Sequence, residues 1–159
     1  MRVSLKEIDQ TEETTIQHLY QLYQYEFSKY VSSLAVDSQG KFKLADMRKY
    51  WSDGKYHAFL ILANDKIAGF AMIREEEKNM PNFVEQFFVL QYFSGQGIGK
   101  AAAKQIFSKF SGNWQVLQIK NNYPAQAFWR SVITDFTNNH FEERYDPDDD
   151  RSSIQEFRS

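Results

Sequence analysis

The sequence contains no cysteine. That absence excludes disulfides, thiolate metal ligands and a cysteine nucleophile, and it fits a cytoplasmic protein. Histidine is scarce. His18, His57 and His140 are far apart, and none has a partner at metal-ligand spacing. Each reads as a structural or surface histidine, and no metal site is expected. No apolar run reaches the ~18 residues that span a bilayer. The first ten residues, MRVSLKEIDQ, lack the apolar segment of a secretory signal. No membrane association is expected, and the cytoplasm is the expected compartment. A strong excess of either charge is also missing. The 19 basic and 21 acidic residues give a net charge of -2, whereas a dedicated nucleic-acid binder normally carries a basic surface. Internal repeats and low-complexity linkers are absent as well.

What is present is the material of a core. Hydrophobic residues make up 42% and aromatic residues 16% of 159. That suits a single domain over residues 1–159 and argues against disorder. MRVSLKEI alternates apolar and polar residues and predicts a first strand. In TEETTIQHLYQLYQYEFSKY, Ile16, Leu19, Tyr20, Tyr23 and Phe27 recur at helical spacing, and Thr11 can cap that helix. KLADMRKYWSD predicts a second, shorter helix. YHAFLILA and KIAGFAMIR flank Asn64-Asp65, a pair that tolerates positive φ, and so predict a hairpin. NFVEQFFVL is a fourth strand, IGKAAAKQIFSKF a helix, and GNWQVLQIK a buried strand. PAQAFWRSVI begins a helix with Pro124 at its expected first position. NHFEERY and RSSIQEF close the chain as a strand pair around the acidic turn DPDDD. The order β-α-α-β-β-β-α-β-α-β-β predicts an α/β (α+β) domain with a mixed, mostly antiparallel seven-stranded sheet and helices on both faces. A helical crossover makes the fourth and fifth strands parallel.

Three of the seven glycines, Gly95, Gly97 and Gly99, fall within five residues at a strand-to-helix junction. Glycine permits positive φ and close backbone approach. The first turn of the following helix has N–H groups without intrahelical partners, and the helix dipole adds to their attraction for an anion such as a phosphate. Lys100 and Lys104 can add charge at the rim. The competing reading is a tight turn with close helix–sheet packing. The spacing is neither that of a P-loop nor that of a dinucleotide-binding Gly-x-Gly-x-x-Gly.

FFVLQYFSGQGIGKAAA resembles the acyl-CoA signature of the GNAT superfamily of N-acetyltransferases: strand FFV, link LQYF, loop SGQGIG, helix KAAA. Gly97 and Gly99 match the two small residues, and Ser94 stands where the family usually has Gln or Arg. A second block, NYPAQAFW, is similar to the family's Asn-x-x-Ala-x-x-x-Tyr through Asn122 and Ala125, with Trp129 at the tyrosine position. The resemblance covers residues 56–136 best. It implies acetyl-CoA as acyl donor, with the pyrophosphate over Ser94, Gly95, Gln96, Gly97, Ile98, Gly99 and Lys100. The pantetheine arm would lie beside Phe87, Phe88 and Val89, with Asn122, Phe128 and Trp129 completing the site. It also implies an amine acceptor and leaves a homodimer open.

The implied reaction is direct attack of a neutral amine on the thioester. A free alkylamine is protonated at neutral pH, so a base is needed. Glu85 is the candidate. A carboxylate in an otherwise apolar strand is costly to bury without a partner, and burial increases a carboxylate's affinity for a proton. A solvated face or a salt bridge is the competing reading. Gln86 is expected on the opposite face. A backbone N–H near Val89 can stabilise the oxyanion. Tyr123, and less directly Tyr145, are candidates for the acid. Acceptor selectivity is expected in QHLYQLYQYEFSKY and the segment after it, and Glu75–Glu77 read as a solvated turn. The alternative to an N-acetyltransferase is a catalytically weak or inactive acyl-CoA-binding module of the same fold.

Overall fold

Period-two alternation and positive-φ turns build a sheet, and the apolar faces of the helices cover it. The computed structural model describes residues 1–148 and 151–159. Its elements are β1 (Val3–Glu7), α1 (Glu13–Phe27), α2 (Arg48–Ser52), β2 (Tyr56–Ala63), β3 (Lys66–Arg74) and β4 (Asn82–Val89). They continue as α3 (Ile98–Lys109), β5 (Asn113–Gln118), α4 (Tyr123–Thr137), β6 (Glu142–Tyr145) and β7 (Ser153–Arg158). The strands form one sheet in the order β1-β2-β3-β4-β5-β7-β6. All neighbours are antiparallel except β4 and β5. The predicted element order and mixed sheet are those observed.

Asn64 and Asp65 turn the β2–β3 hairpin at φ of 49° and 66°, as their residue types require. Two details differ from expectation. Thr11 does not cap α1. A 3₁₀ turn precedes the helix, and the Asp9 carboxylate caps that turn by accepting from the Thr11 N–H. Pro124 is the second residue of α4, after Tyr123. Either of the first helical positions tolerates proline, because neither N–H has an intrahelical acceptor. Of the acidic turn DPDDD, Asp149 and Asp150 lie outside the described residues.

One core lies between the sheet and α3 and α4. It holds Phe59, Ile73, Ile106, Phe107, Trp114 and Ile133, each about 1% exposed or less. The other lies beneath α1 and α2 and holds Ile16, Met47, Phe70, Met72 and Phe88. Helices therefore cover both faces.

Of KLADMRKYWSD, predicted as the second helix, only Arg48–Ser52 is helical. Just before it the chain lies along α1 and is held by glutamines. Gln17 donates to the Ala45 carbonyl at 2.8 Å and accepts from its N–H at 3.3 Å. Gln21 does the same for Phe42, at 2.8 and 2.9 Å. Gln24 donates to the Lys43 carbonyl at 3.1 Å. Gln17, Gln21 and Gln24 are spaced i, i+4, i+7 and share one helix face. They replace the sheet partner this strap of chain lacks.

Candidate active site

The site begins where two strands part. β4 and β5 are paired only at Asn82–Trp114 and Phe83–Gln115. Beyond those pairs they separate, and the gap is a cavity of about 400 Å³. A buried residue fixes the joint. Asn82, 0% exposed, accepts from the Glu76 N–H at 2.7 Å and donates to the Asn113 carbonyl at 3.1 Å. Glu76 in turn accepts from the Asn113 N–H at 2.7 Å. Part of the Glu75–Glu77 run is thus structural rather than a solvated turn. Glu75 also meets His57 at 2.9 Å.

Splaying leaves backbone groups of β4 without a strand partner. Leu90 N donates to the Ala68 carbonyl at 2.8 Å, which sets the phase of the β3–β4 ladder. Phe88, opposite Phe70, uses its backbone groups on β3. Phe87 and Val89 present theirs to the opposite edge, toward the gap. Phe88 therefore differs from its two neighbours. Its side chain also lies on the far face, against Tyr23 at 5.7 Å and Phe70 at 6.0 Å between ring centroids.

The β3–β4 register slips between Met72 and Ile73. Gln86 faces Met72, Val84 faces Ile73, and Glu85 is the extra residue. This β-bulge corrects the expectation for Gln86. Val84 and Phe87 both join the core under α3 and α4 although they are three positions apart. The two residues between them therefore share the α1–α2 side. Glu85 and Gln86 line the cavity together. The Glu85 side chain is 22% exposed, with Lys49 Nζ at 3.8 Å. Simple alternation could not locate a bulge.

The glycine loop leads from β4 into α3. Gly95 and Gly97 have φ of 74° and 78°, and a Cβ on either would meet nothing within 4 Å. Among the described residues, no protein group accepts from the N–H groups of Gly95 through Lys100. Open space at Gly95 and Gly97, in a row of donors without protein acceptors that runs into the helix N-terminus, fits an anion such as a diphosphate. Gly99 has a different part. A Cβ there would lie 3.2 Å from the Phe128 ring and 3.4 Å from the Val89 side chain, so this glycine seats α3 on the sheet. Lys100 is 3.1 Å from Asp135, and Lys104 shares the same carboxylate. Those two lysines hold the Asp135 carboxyl below its ordinary range. The positive charge expected at the rim is thus partly committed to α4.

The remaining candidates divide. Phe87 meets Trp129 at 5.0 Å and Phe128 at 5.8 Å between ring centroids, which joins the loop to the cavity. Asn122 lines the cavity and caps α4 by accepting from the Ala125 N–H at 3.2 Å. Trp129, 6% exposed, forms part of the wall. Tyr123 is 71% exposed and not among the lining residues, and Tyr145 is 58% exposed on β6. The phenols that do line the cavity are Tyr20 and Tyr23 of α1. Burial raises the pKa of both, and the proximity of Tyr20 adds to the effect at Tyr23. Val31 and Leu34, just beyond α1, complete that wall, where acceptor selectivity was expected. Gln118, which pairs with Gln155 at 2.7 and 2.9 Å, had no signal in the sequence.

No curated protein matches the chain by sequence. Among solved structures, an acetyltransferase from Thermus thermophilus superposes with a TM-score of 0.74 at 11% identity, covering 100% of this chain and 98% of that one. The PaiA N-acetyltransferase from Thermoplasma acidophilum, in complex with coenzyme A, gives 0.66 at 14% identity and 100% of both chains. An aminoglycoside acetyltransferase from an uncultured soil metagenomic sample, in complex with sisomicin, gives 0.58 at 19% identity, over 82% of this chain and 86% of that one. At such identities the likeness is one of fold. A model of the acetyltransferase (GNAT) family matches residues 16–132. Parted strands, a donor-lined glycine loop and this match over most of the sequence have one meaning: the chain belongs to the GNAT acetyltransferase family, whose reaction is acyl transfer from acetyl-CoA.

Proposed function

We propose that the protein transfers an acetyl group from acetyl-CoA to a primary amine by direct attack. The observation that carries this reading is the row of unsatisfied N–H groups from Gly95 to Lys100, beside the gap between β4 and β5. The loop would hold the diphosphate, and the outward backbone groups of Phe87 and Val89 would pair with the amides of the pantetheine arm. When bound, the thioester supplies an electrophilic carbonyl. The Val89 N–H is the candidate oxyanion donor. Glu85 accepts the proton of the incoming ammonium, directly or through one water. The N–C bond forms, the C–S bond breaks, and the sulfur leaves after taking up one proton. Trp129 has no hydroxyl to give that proton, so solvent or the acceptor's own ammonium provides it.

Acetyl-CoA is expected to raise the melting temperature and to release thiol in the presence of an amine. Glu85→Gln is expected to lower kcat/KM by about 10²–10⁴-fold with little change in the melting temperature. Unchanged turnover across about pH 6 to 9 would remove Glu85 as the base. The buried Trp129 and the Lys49 ammonium near Glu85 favour one other reading, a module that holds the thioester without turning it over. Binding of acetyl-CoA without thiol release from any amine would select it.

A further inference from the structure

Which amine the cleft takes can be argued from its charge, given the transferase reading above. The cavity of about 400 Å³ is in the range of small-molecule sites, and the thioester arm would use part of it. Its wall is aromatic and apolar, with Tyr20, Tyr23, Phe27, Phe87 and Trp129 joined by Leu34. Among the residues lining it, Glu85 is the single acidic side chain, and no lysine, arginine or histidine stands with it. Several of the amides that line it are already committed. Gln24 donates to Lys43, Gln118 is paired with Gln155, and Asn122 caps α4. Lys49 adds a positive charge 3.8 Å from Glu85. A first ammonium finds one carboxylate. A second would enter an apolar wall with no counter-charge and with a cation close by, which is costly.

The cleft is also bounded. Asn121 donates to the Tyr30 carbonyl at 3.0 Å, tying the end of α1 to the loop before α4. Val31 and Leu34, on the chain just after Tyr30, wall that end of the cavity.

We propose that the acceptor is a compact primary monoamine with an aromatic or branched apolar body, its amine directed to Glu85, and that polycations such as polyamines and aminoglycosides are rejected.

The test sets binding beside turnover. Phenethylamine and spermidine are titrated into the CoA-saturated protein by calorimetry. Thiol release from acetyl-CoA is then measured for both, for sisomicin, and for a short peptide with N-terminal phenylalanine. Phenethylamine is expected to bind and to exceed spermidine and sisomicin in kcat/KM by about tenfold or more. Preference for spermidine or sisomicin, turnover of the peptide alone, or acetyl-CoA binding with no binding of phenethylamine would overturn the assignment and leave the family reaction untouched. Phenethylamine binding with no thiol released from any amine would instead remove the transferase reading and keep the assignment of the pocket. Val31→Asp, which adds a second carboxylate to the wall, is expected to raise the spermidine-to-phenethylamine ratio in kcat/KM; an unchanged ratio counts against the charge argument.

Discussion

Glycines at neighbouring positions do unlike things here, and substitution separates them. At Gly97 a side chain meets open space, but φ is 78°. Gly97→Ala is therefore expected to cost about 1–2 kcal/mol of stability, from left-handed backbone strain, and to weaken acetyl-CoA by disturbing the donor row. At Gly69 the backbone is ordinary, but a Cβ would lie 2.0 Å from the Phe88 carbonyl oxygen. Gly69→Ala cannot be accommodated without pushing β3 off β4, so the expected loss is larger, about 3 kcal/mol or more. Chemical denaturation of both variants, with acetyl-CoA affinity for Gly97→Ala, checks the pair. Equal and small losses would contradict the distinction.

At the scale of elements, the glutamine face of α1 does the work of a missing strand. Gln17→Ala and Gln21→Ala each remove two side-chain-to-backbone bonds from the strap. Each is expected to cost about 1–2 kcal/mol in urea denaturation, and hydrogen exchange at Phe42 and Ala45 is expected to quicken. Unchanged exchange there would mean the strap is held by something else. Strands and helices were legible in the sequence because their periods are 2 and 3.6, and Asn64-Asp65 and the glycine loop because special φ leaves a mark in composition. The bulge at Glu85 was not legible. It is a one-residue slip against β3, and alternation assigns Gln86 to the wrong face. Asp9 rather than Thr11 as the cap, and the tie of Lys100 to Asp135, likewise depend on neighbours distant in the fold or on a turn that precedes the helix. The glycine loop was thus readable locally, whereas the cavity wall, assembled from α1, the chain just after it, β4, β5 and α4, was not.

For the whole molecule, the shifted groups define a pH window. Burial raises the phenols of Tyr20, Tyr23 and Tyr50 above their ordinary value of 10.0. A raised acid binds its proton more tightly in the folded state. Its contribution is full below about pH 10 and is lost as pH climbs toward the folded values. Hydrogen bonding to Arg130 lowers Glu143, and Lys104 and Lys100 lower Asp135, from ordinary values of 4.5 and 3.8. Those contributions are present above the ordinary values and lost as pH falls through the lowered ones. A plateau of stability between about pH 5 and 9.5 is expected, with tyrosinate absorbance from the buried phenols appearing together with unfolding. Titration of Tyr20, Tyr23 and Tyr50 while the protein remained folded would contradict this.

The joint at Asn82 has one more implication. Because only two residue pairs link β4 to β5, the sheet resembles two plates riveted at one corner, and no ladder of bonds sets how far the opposite corner gapes. That distance is left to the volume of side chains wedged behind it, such as Phe107 and Trp129. Exchanging Phe107, which does not line the cavity, should retune which molecules the mouth admits while leaving the rivet intact.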